Sequence, residues 1–241
     1  MYSTKKLIKN KLKEMLFLKI IARIHTDFKE KFGIPRQSGI TKSTAKIIFE
    51  PEYRRPEAFT GIDGYSHLWL IWNFSMAERE EWSPTVRPPR LGGNKRVGVF
   101  ATRSPYRPNP IGLSSVKLIK YEFTEGCGPV LTVEGADLLD GTPIYDIKPY
   151  LAFTDSHPDA TGGFADAVKE YRIDVVFPED LLQKVDTGHR EELIRVLEDD
   201  PRPSYKKSCG KEYGMKFADY EIFFTSSEKT ITVTRVESLK K

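Results

Sequence analysis

The sequence predicts a mainly β protein, in which a β-barrel or sandwich is followed by a small α+β unit. Up to about residue 150 the apolar segments are short, rich in β-branched residues and separated by turns that contain Gly or Pro. Such spacing is typical of all-β folds and differs from the alternating strands and helices of a doubly wound sheet. The GxGxxG and GxxxxGK[ST] fingerprints of α/β nucleotide-binding proteins are also missing.

The length and the aromatic content bound the domain organisation. The chain has 241 residues with 14 Phe, 11 Tyr and 3 Trp, which suits one large domain, or one such domain and a small one. No apolar run approaches the ~20 residues that a membrane-spanning helix needs, and no signal peptide is evident. Cys127 and Cys209 are too few for a disulfide framework or a zinc site. We therefore expect a cytoplasmic protein without a metal and without membrane contact.

Composition divides the chain into three parts. Residues 1–17 are rich in Lys and are expected to form a disordered extension or a short basic helix. Residues 18–165 hold the β-rich pattern, and a polar stretch rich in Gly, Pro and Asp ends this part. Residues 166–241 combine a helical period over 178–199 with apolar β segments, which predicts a small α+β domain.

The expected strands are short apolar runs flanked by turn residues. The run HLWLIWNF at 67–74 is apolar on both faces and predicts a central, buried strand. RVGVFA at 96–101 and IGLSSVKLI at 111–119 predict strands on either side of a Pro-rich turn. FADYEIFFT at 217–225 and KTITVTRV at 229–236 predict a C-terminal β-hairpin. The other expected strands are FLKIIARIH, TAKIIFE and VLTVEGADLL.

Residues 82–121 form a basic stretch in an otherwise slightly acidic chain. The stretch contains no acidic residue, and because the whole chain carries a net charge of +4, the remainder sums to −4. Its eight positive residues are Arg87, Arg90, Lys95, Arg96, Arg103, Arg107, Lys117 and Lys120. This charge favours an anionic partner such as RNA, while the alternative is a solvated loop held by prolines.

Four segments give the sequence a family resemblance. They are FGIPRQSG at 32–39, YSHLWLI at 65–71, RPPRLGGNKRVGVFATRSPYRPNPIGLS at 87–114 and LLDGTPIYDIKPY at 138–150. Together they resemble the TrmO family, also called the TsaA-like or YaeB family, over roughly residues 18–157. The C-terminal strings DPRPSY and YGMKFADYEIFF resemble the bacterial members, so the resemblance covers nearly the whole chain except its first 17 residues.

The resemblance implies a fold, a reaction and an assembly. Members are S-adenosylmethionine-dependent tRNA methyltransferases built on a β-barrel in place of the usual doubly wound sheet. The implied reaction moves a methyl group from S-adenosylmethionine to the exocyclic nitrogen of a threonylcarbamoylated adenosine beside the anticodon. The resemblance also implies a homodimer with the cofactor near the interface.

Cofactor contacts are expected from turns that offer free amides and carbonyls, and from the end of the buried strand. The predicted residues are Gln37, Ser38, Gly39, Phe74, Ser75, Met76, Arg107, Lys117, Leu138, Leu139, Asp140 and Gly141. The sulfonium of the cofactor favours carbonyl oxygens and aromatic faces. The family often carries His where this chain has Ser75, so the role of this position is open.

The remaining predicted roles concern the substrate and the proton. The acylated nitrogen must lose a proton, which Asp140 or Asp146 is expected to accept, although Asp140 is equally suited to forming a turn. Arg103 and Arg107 have the geometry to bind a phosphate or the threonyl carboxylate, unless acidic residues of the barrel pair with them. The predicted substrate-binding set is Arg87, Arg90, Arg103 and Arg107.

Two other functions are compatible with these residues. One is a non-catalytic RNA-binding β-barrel, which would bind RNA but not S-adenosylmethionine. The other is a methyltransferase that acts on a small molecule or a protein.

Overall fold

The computed structural model describes residues 18–77, 81–88, 91, 95–202, 210–227 and 229–240. The predicted N-terminal extension, residues 1–17, lies outside the described residues, as do Arg90 and Cys209. The strands are β1 (Ala22–His25), β2 (Thr44–Phe49), β3 (His67–Asn73), β4 (Thr85–Val86), β5 (Val97–Gly98), β6 (Ile111–Thr124), β7 (Gly128–Glu134), β8 (Pro143–Pro149), β9 (Asp174–Val176), β10 (Tyr213–Phe217), β11 (Tyr220–Ser226) and β12 (Thr230–Ser238). The α-helices are α1 (Ala152–Asp155), α2 (Glu179–Leu182) and α3 (Thr187–Glu198).

Six strands close into an antiparallel barrel, which confirms the predicted mainly β fold. The order around the barrel is β1-β2-β7-β6-β3-β8, and β8 returns to pair with β1. Closure removes the free strand edges that an open sheet would expose. Short 3₁₀ turns at Pro51–Tyr53, Pro56–Phe59 and Ile62–Gly64 connect β2 to β3.

Strand β3 shows how the sequence pattern relates to the barrel. Leu68, Leu70 and Trp72 alternate along the strand and are buried in the interior. The prediction that β3 is buried on both faces is wrong, because a barrel encloses only one face of each strand. Its outer face is only half-buried, and there the Trp69 ring lies 5.3 Å from the Tyr150 ring.

The barrel interior is a continuous apolar core. Its fully buried members include Ala22, Ile24, Ile47, Leu68, Leu70, Leu131, Val133, Leu138 and Ile144. Gly112 lies opposite Trp72 in the β3–β6 pairing. A Cβ atom on Gly112 would come within 2.2 Å of the Trp72 ring, so only glycine admits this indole.

The strand predicted at 96–101 is mostly absent. Only Val97–Gly98 is extended, and it pairs with Thr85–Val86 in a separate two-stranded sheet. The chain then forms a 3₁₀ turn at Val99–Ala101. The Pro-rich turn at 102–110 therefore connects a small hairpin to barrel strand β6, and does not connect two barrel strands.

The C-terminal part forms a four-stranded sheet that packs against helix α3. The strand order is β10-β11-β12-β9, with β9 parallel to β12. The strand predicted at 217–225 is interrupted, because Ala218 has a φ of +49° and turns the chain between β10 and β11. The helical period predicted over 178–199 divides into α2 and α3. In the described ranges, the helices all fall short of the length and apolarity that crossing a bilayer requires.

The β1–β2 loop connects the barrel to the C-terminal sheet. Phe28, from this loop, is buried in the C-terminal core, where its ring lies edge-on to Phe217 at 5.9 Å. The backbone N–H of Ala218 donates to the carbonyl of Asp27 at 2.9 Å. Burial raises the pKa of the Glu192 carboxyl on α3 to about 7, although a hydrogen bond with Ser43 of the same loop opposes the shift. Contacts with both the C-terminal sheet and α3 therefore hold the loop.

The contact between Gly112 and Trp72 can be tested by substitution. Gly112→Ala should lower the free energy of unfolding by about 1–3 kcal/mol, since the added methyl group overpacks the barrel interior. Gly98→Ala is the matched control, because nothing lies within 4 Å of the Cβ atom it adds. Urea denaturation followed by tryptophan fluorescence measures both. Equal stability of the two variants would contradict this account of the core.

Candidate active site

A cleft of about 690 Å³ opens where β3 leaves the barrel. Its walls come from four stretches of chain, around residues 34–37, 72–77, 102–113 and 137–142. A volume of this size is in the range of pockets that bind small organic ligands. All four stretches include connections that follow or precede barrel strands, where sites are commonly built on a rigid scaffold.

Two glycines bring opposite walls of the cleft together. The backbone N–H of Gly39 donates to the carbonyl of Gly135 at 2.9 Å. Both glycines have positive φ, and a Cβ atom on Gly135 would lie 3.2 Å from the Cα of Gly39. Because two glycines allow this close approach, the loop that carries Gln37 lies beside the loop that carries Asp137.

A chain of hydrogen bonds runs from the barrel core to the cleft. The indole N–H of Trp72 donates to Ser114 Oγ at 3.0 Å, and Ser114 Oγ donates to Asp137 Oδ1 at 2.6 Å. Burial raises the pKa of the Asp137 carboxyl, and it outweighs the Ser114 hydrogen bond and the charge of Arg103, which lower that pKa. Asp137 is therefore a carboxylate of fixed orientation and raised basicity in the wall of the cleft.

The turn at 102–110 contributes two guanidinium groups to the cleft, and the charge of one of them, Arg103, acts on Asp137. Arg103 donates to the side-chain carbonyl Oε1 of Gln37. Arg107 Nη1 donates to the carbonyl oxygens of Thr102 and Ser104, at 3.1 and 3.3 Å. The second guanidinium is thus held by its own turn. Both line the cleft together with Lys31 and Arg36, so that the described lining combines one half-buried carboxylate with four cations.

Comparison with known proteins identifies the family. The family model described as the tRNA-methyltransferase O N-terminal domain matches residues 23–156, and the TrmO C-terminal domain matches residues 170–239. The chain belongs to the TrmO family. The resemblance read from the sequence is therefore confirmed.

Relatives and solved structures of the TrmO family resemble the chain over most of its length. A tRNA (adenine(37)-N6)-methyltransferase from Escherichia coli strain K12 is 38% identical over 90% of this chain and 96% of its own. The enzyme of that name from Eikenella corrodens is 46% identical over 66% of this chain and 90% of its own. A crystal structure of TrmO from P. aeruginosa superposes with a TM-score of 0.74 at 32% identity, covering 92% of this chain and 96% of that one.

The structure brings about half of the predicted cofactor residues to the cleft. Those that line it are Gln37, Phe74, Ser75, Met76, Arg107 and Leu139. Ser38 lines a neighbouring depression together with Trp69, Arg103 and Tyr150. The predicted residues that are not among the lining residues are Gly39, Lys117, Leu138, Asp140 and Gly141. Of these, Gly39 supports the site through its contact with Gly135.

Lys117 and Arg87 lie away from the cleft. Lys117 is four residues beyond Leu113 along β6, a displacement of about 13 Å. Its ammonium nitrogen lies 3.7 Å from Glu134 Oε1. Arg87 is exposed just after β4 and does not line the cleft, whereas Arg90 lies outside the described residues.

The structure does not bring the two carboxylates predicted to accept the proton to the cleft. Asp140 accepts hydrogen bonds from the Thr26 backbone N–H and from Lys29 Nζ, both at 3.0 Å, which fits its alternative role in a turn. Asp146 Oδ2 lies 2.8 Å from Lys148 Nζ on a half-exposed stretch of β8. Neither residue is among those that line the cleft.

Asp137 and Ser114 are site residues that the sequence reasoning missed. Both lie inside segments predicted as strands, where a polar residue does not by itself indicate a functional site. Alternation could have identified Ser114, because Gly112, Ser114 and Val116 occupy the buried face of β6. A small hydroxyl at an interior position of a strand requires a polar partner, and here the partner is Asp137.

A structural role for Asp140 predicts a stability effect that depends on pH. Burial raises its pKa, but the hydrogen bonds from Lys29 and Thr26 and the charges of Lys29 and His25 bring the net pKa below its usual value. A lowered carboxyl pKa contributes stability above the unfolded pKa, and this stability is lost as pH falls through the folded pKa. Asp140→Asn should therefore cost about 1 kcal/mol at pH 7 and nothing near pH 2.

Asp146→Asn is the matched control for Asp140→Asn. Its partner Lys148 is exposed, so the change should alter the free energy of unfolding by less than about 0.5 kcal/mol. Denaturant titrations between pH 2 and pH 7 give both values. A cost for Asp140→Asn that does not change with pH would contradict the proposed ion pair.

Proposed function

We propose that this chain methylates the exocyclic N6 nitrogen of threonylcarbamoyladenosine beside the anticodon of tRNA, with S-adenosylmethionine as the methyl donor. The observation that carries the proposal is the cleft at the end of β3. It lies within the part of the chain that matches the TrmO N-terminal domain, and it combines a half-buried carboxylate, aromatic rings and the guanidinium groups of Arg36, Arg103 and Arg107. The relatives named tRNA (adenine(37)-N6)-methyltransferase support the same reaction.

The lining of the cleft fits the chemical groups of S-adenosylmethionine. When bound, the cofactor supplies a methyl group attached to a positively charged sulfur. Phe74, whose ring packs 4.2 Å from that of the buried Trp72, lines the cleft and offers an aromatic face for an adenine or a sulfonium. Gln37 and Leu139, from the turns expected to offer free amides and carbonyls, also line the cleft. An S-adenosylmethionine-binding relative from Methanothermobacter thermautotrophicus, described as probable and 37% identical over 133 residues, supports this cofactor.

Asp137 is the group that we assign to proton transfer. The nitrogen of the substrate is acylated and weakly nucleophilic, so it must lose a proton as it accepts the methyl group. In our proposal this proton passes to Asp137 Oδ2, while Ser114 holds Oδ1 through its 2.6 Å hydrogen bond. The raised pKa makes Asp137 a stronger base than an exposed aspartate. This assignment replaces Asp140 and Asp146 in that role.

Arg103 and Arg107 are the residues that we assign to the threonylcarbamoyl group. A guanidinium recognises a carboxylate through two parallel hydrogen bonds, and both residues line the cleft. A site built to pair a carboxylate discriminates against a substrate that lacks it, because its donors are left unpaired. The modified base, and not plain adenosine, is therefore the proposed substrate.

A homodimer with the cofactor near its interface is also part of the proposal. Apolar side chains are exposed around the cleft, namely Met76 at 63%, Leu113 at 55% and Ile111 at 37%. Sedimentation velocity should show a dimer for the natural chain and a shift towards monomer for Leu113→Asp. A monomeric natural chain would contradict the assembly.

Methyl transfer to two matched tRNAs tests the proposed reaction. With labelled S-adenosylmethionine, a tRNA that carries threonylcarbamoyladenosine should be methylated, while the same tRNA with plain adenosine should not. Equal transfer to both would contradict the selectivity. Transfer to neither, with RNA binding intact, would favour an RNA-binding barrel, and transfer to small molecules alone would favour the third alternative.

The variant Asp137→Asn distinguishes proton transfer from binding. It should lower kcat by about 100-fold or more, since it removes the general base, while calorimetry with S-adenosylhomocysteine shows affinity of the same order as the natural chain. In the natural chain, kcat should fall as pH drops through the pKa of Asp137, because only the ionised carboxylate accepts a proton. An unchanged kcat for the variant would remove Asp137 from the mechanism.

A further inference from the structure

Two large aromatic side chains are exposed together outside the cleft. Trp82 is 49% exposed and Phe100 is 72% exposed, and their rings are stacked with centroids 6.1 Å apart and planes inclined by 25°. Single exposed apolar residues are common on protein surfaces. A stacked pair held on a surface is less common and presents a flat apolar face to solvent.

The hairpin of β4 and β5 holds these two rings in place. Val86 and Val99 are buried beneath it, at 9% and 1% exposure. The backbone N–H of Val99 donates to the carbonyl of Pro84 at 3.0 Å. Trp82 lies two residues before Pro84, and Phe100 directly follows Val99. The exposed rings are therefore attached to a packed hairpin.

The aromatic pair is adjacent to the wall of the cleft. The backbone N–H of Ser83, next to Trp82, donates to the carbonyl of Tyr106 at 3.3 Å, and Tyr106 lines the cleft. A ligand that placed one group in the cleft would therefore have its neighbouring groups close to the pair.

Three cations lie on the hairpin that carries the pair. Arg87, Lys95 and Arg96 are exposed on the same hairpin, and Glu81 is the one acidic residue within residues 81–88 and 95–101. Arg96 is oriented by a 2.7 Å hydrogen bond from Nε to Thr85 Oγ1. Exposed aromatic rings among cations are the combination that binds single-stranded nucleic acid, since bases stack on the rings while cations contact the phosphates.

We infer that Trp82 and Phe100 form a stacking platform for an unpaired base of the tRNA anticodon loop. This inference rests on the proposed function, because it takes the base in the cleft to be a neighbour of the stacked one. The outer faces of the rings accept any base, as every base has a π-face, so the platform adds affinity and orientation without reading sequence. Arg87, Lys95 and Arg96 supply the phosphate contacts beside it.

Alanine substitution of the two rings tests the platform. Binding is measured by fluorescence anisotropy with two RNAs of equal charge, a hairpin with the sequence of a tRNA anticodon arm and a duplex without unpaired bases. Trp82→Ala with Phe100→Ala should weaken hairpin binding by about 5- to 150-fold and duplex binding far less. The replacements Trp82→Phe and Phe100→Tyr should retain most of the affinity. The dependence of hairpin binding on salt should keep its slope, whereas Arg87→Ala should reduce that slope.

One control variant and the oligomeric state separate this inference from its alternatives. Phe123→Ala removes an aromatic ring that is 64% exposed at the other end of β6, and it should leave RNA binding unchanged. Equal losses for hairpin and duplex, or no loss, would overturn the platform. A shift from dimer to monomer in the double variant would also overturn it, because the rings would then bind a second copy of the chain. Failure of the proposed reaction is seen separately, as absence of methyl transfer by the natural chain.

Discussion

The contact between Gly39 and Gly135 is the constraint on which the site depends. These residues are almost a hundred positions apart, and the barrel brings their loops together because β2 and β7 are neighbours in it. They are joined by a 2.9 Å hydrogen bond, and a Cβ atom on Gly135 would lie 3.2 Å from the Cα of Gly39, so a side chain there would push the two loops apart by a few tenths of an ångström. Through this contact the loop that carries Gln37 and the loop that carries Asp137 become opposite walls of one cleft. A larger residue at Gly135 would press on Gly39, and one at Gly39 would strain the backbone, whose φ is +78°.

The β1–β2 loop, which carries Gly39, is also anchored in the C-terminal sheet. Phe28 belongs to the C-terminal core, and a Cβ atom on Gly33 would lie 2.4 Å from the sulfur of Met215. The loop is therefore fixed both by the C-terminal unit and by its contact with the barrel at Gly135. Positioning of groups to within a fraction of an ångström contributes strongly to catalysis. The C-terminal unit would therefore contribute to the site by fixing the loop that carries Gln37.

Much of the barrel could be predicted from the sequence, and the exceptions have physical reasons. β2, β3, β6 and β7 correspond to apolar runs between Gly or Pro turns, because these are local signals. The run at 96–101 looks like a strand, yet it mostly lacks a partner and forms a two-residue pair and a 3₁₀ turn. The run at 217–225 contains a turn at Ala218 that the sequence pattern does not predict, because positive φ in a residue other than Gly has no sequence signature.

The sequence by itself determined the mainly β class, the TrmO family and the segments that form the cleft, because these follow from local patterns and long specific strings. Only the tertiary structure decided which carboxylate faces the cleft. Asp137 and Asp140 are three residues apart in one connection, and nothing local distinguishes them. Asp137 lies against Ser114 of β6, whereas Asp140 turns towards Thr26 and Lys29 after β1. The physical reason is that each side chain is oriented by partners distant in sequence, which only closure of the barrel brings near.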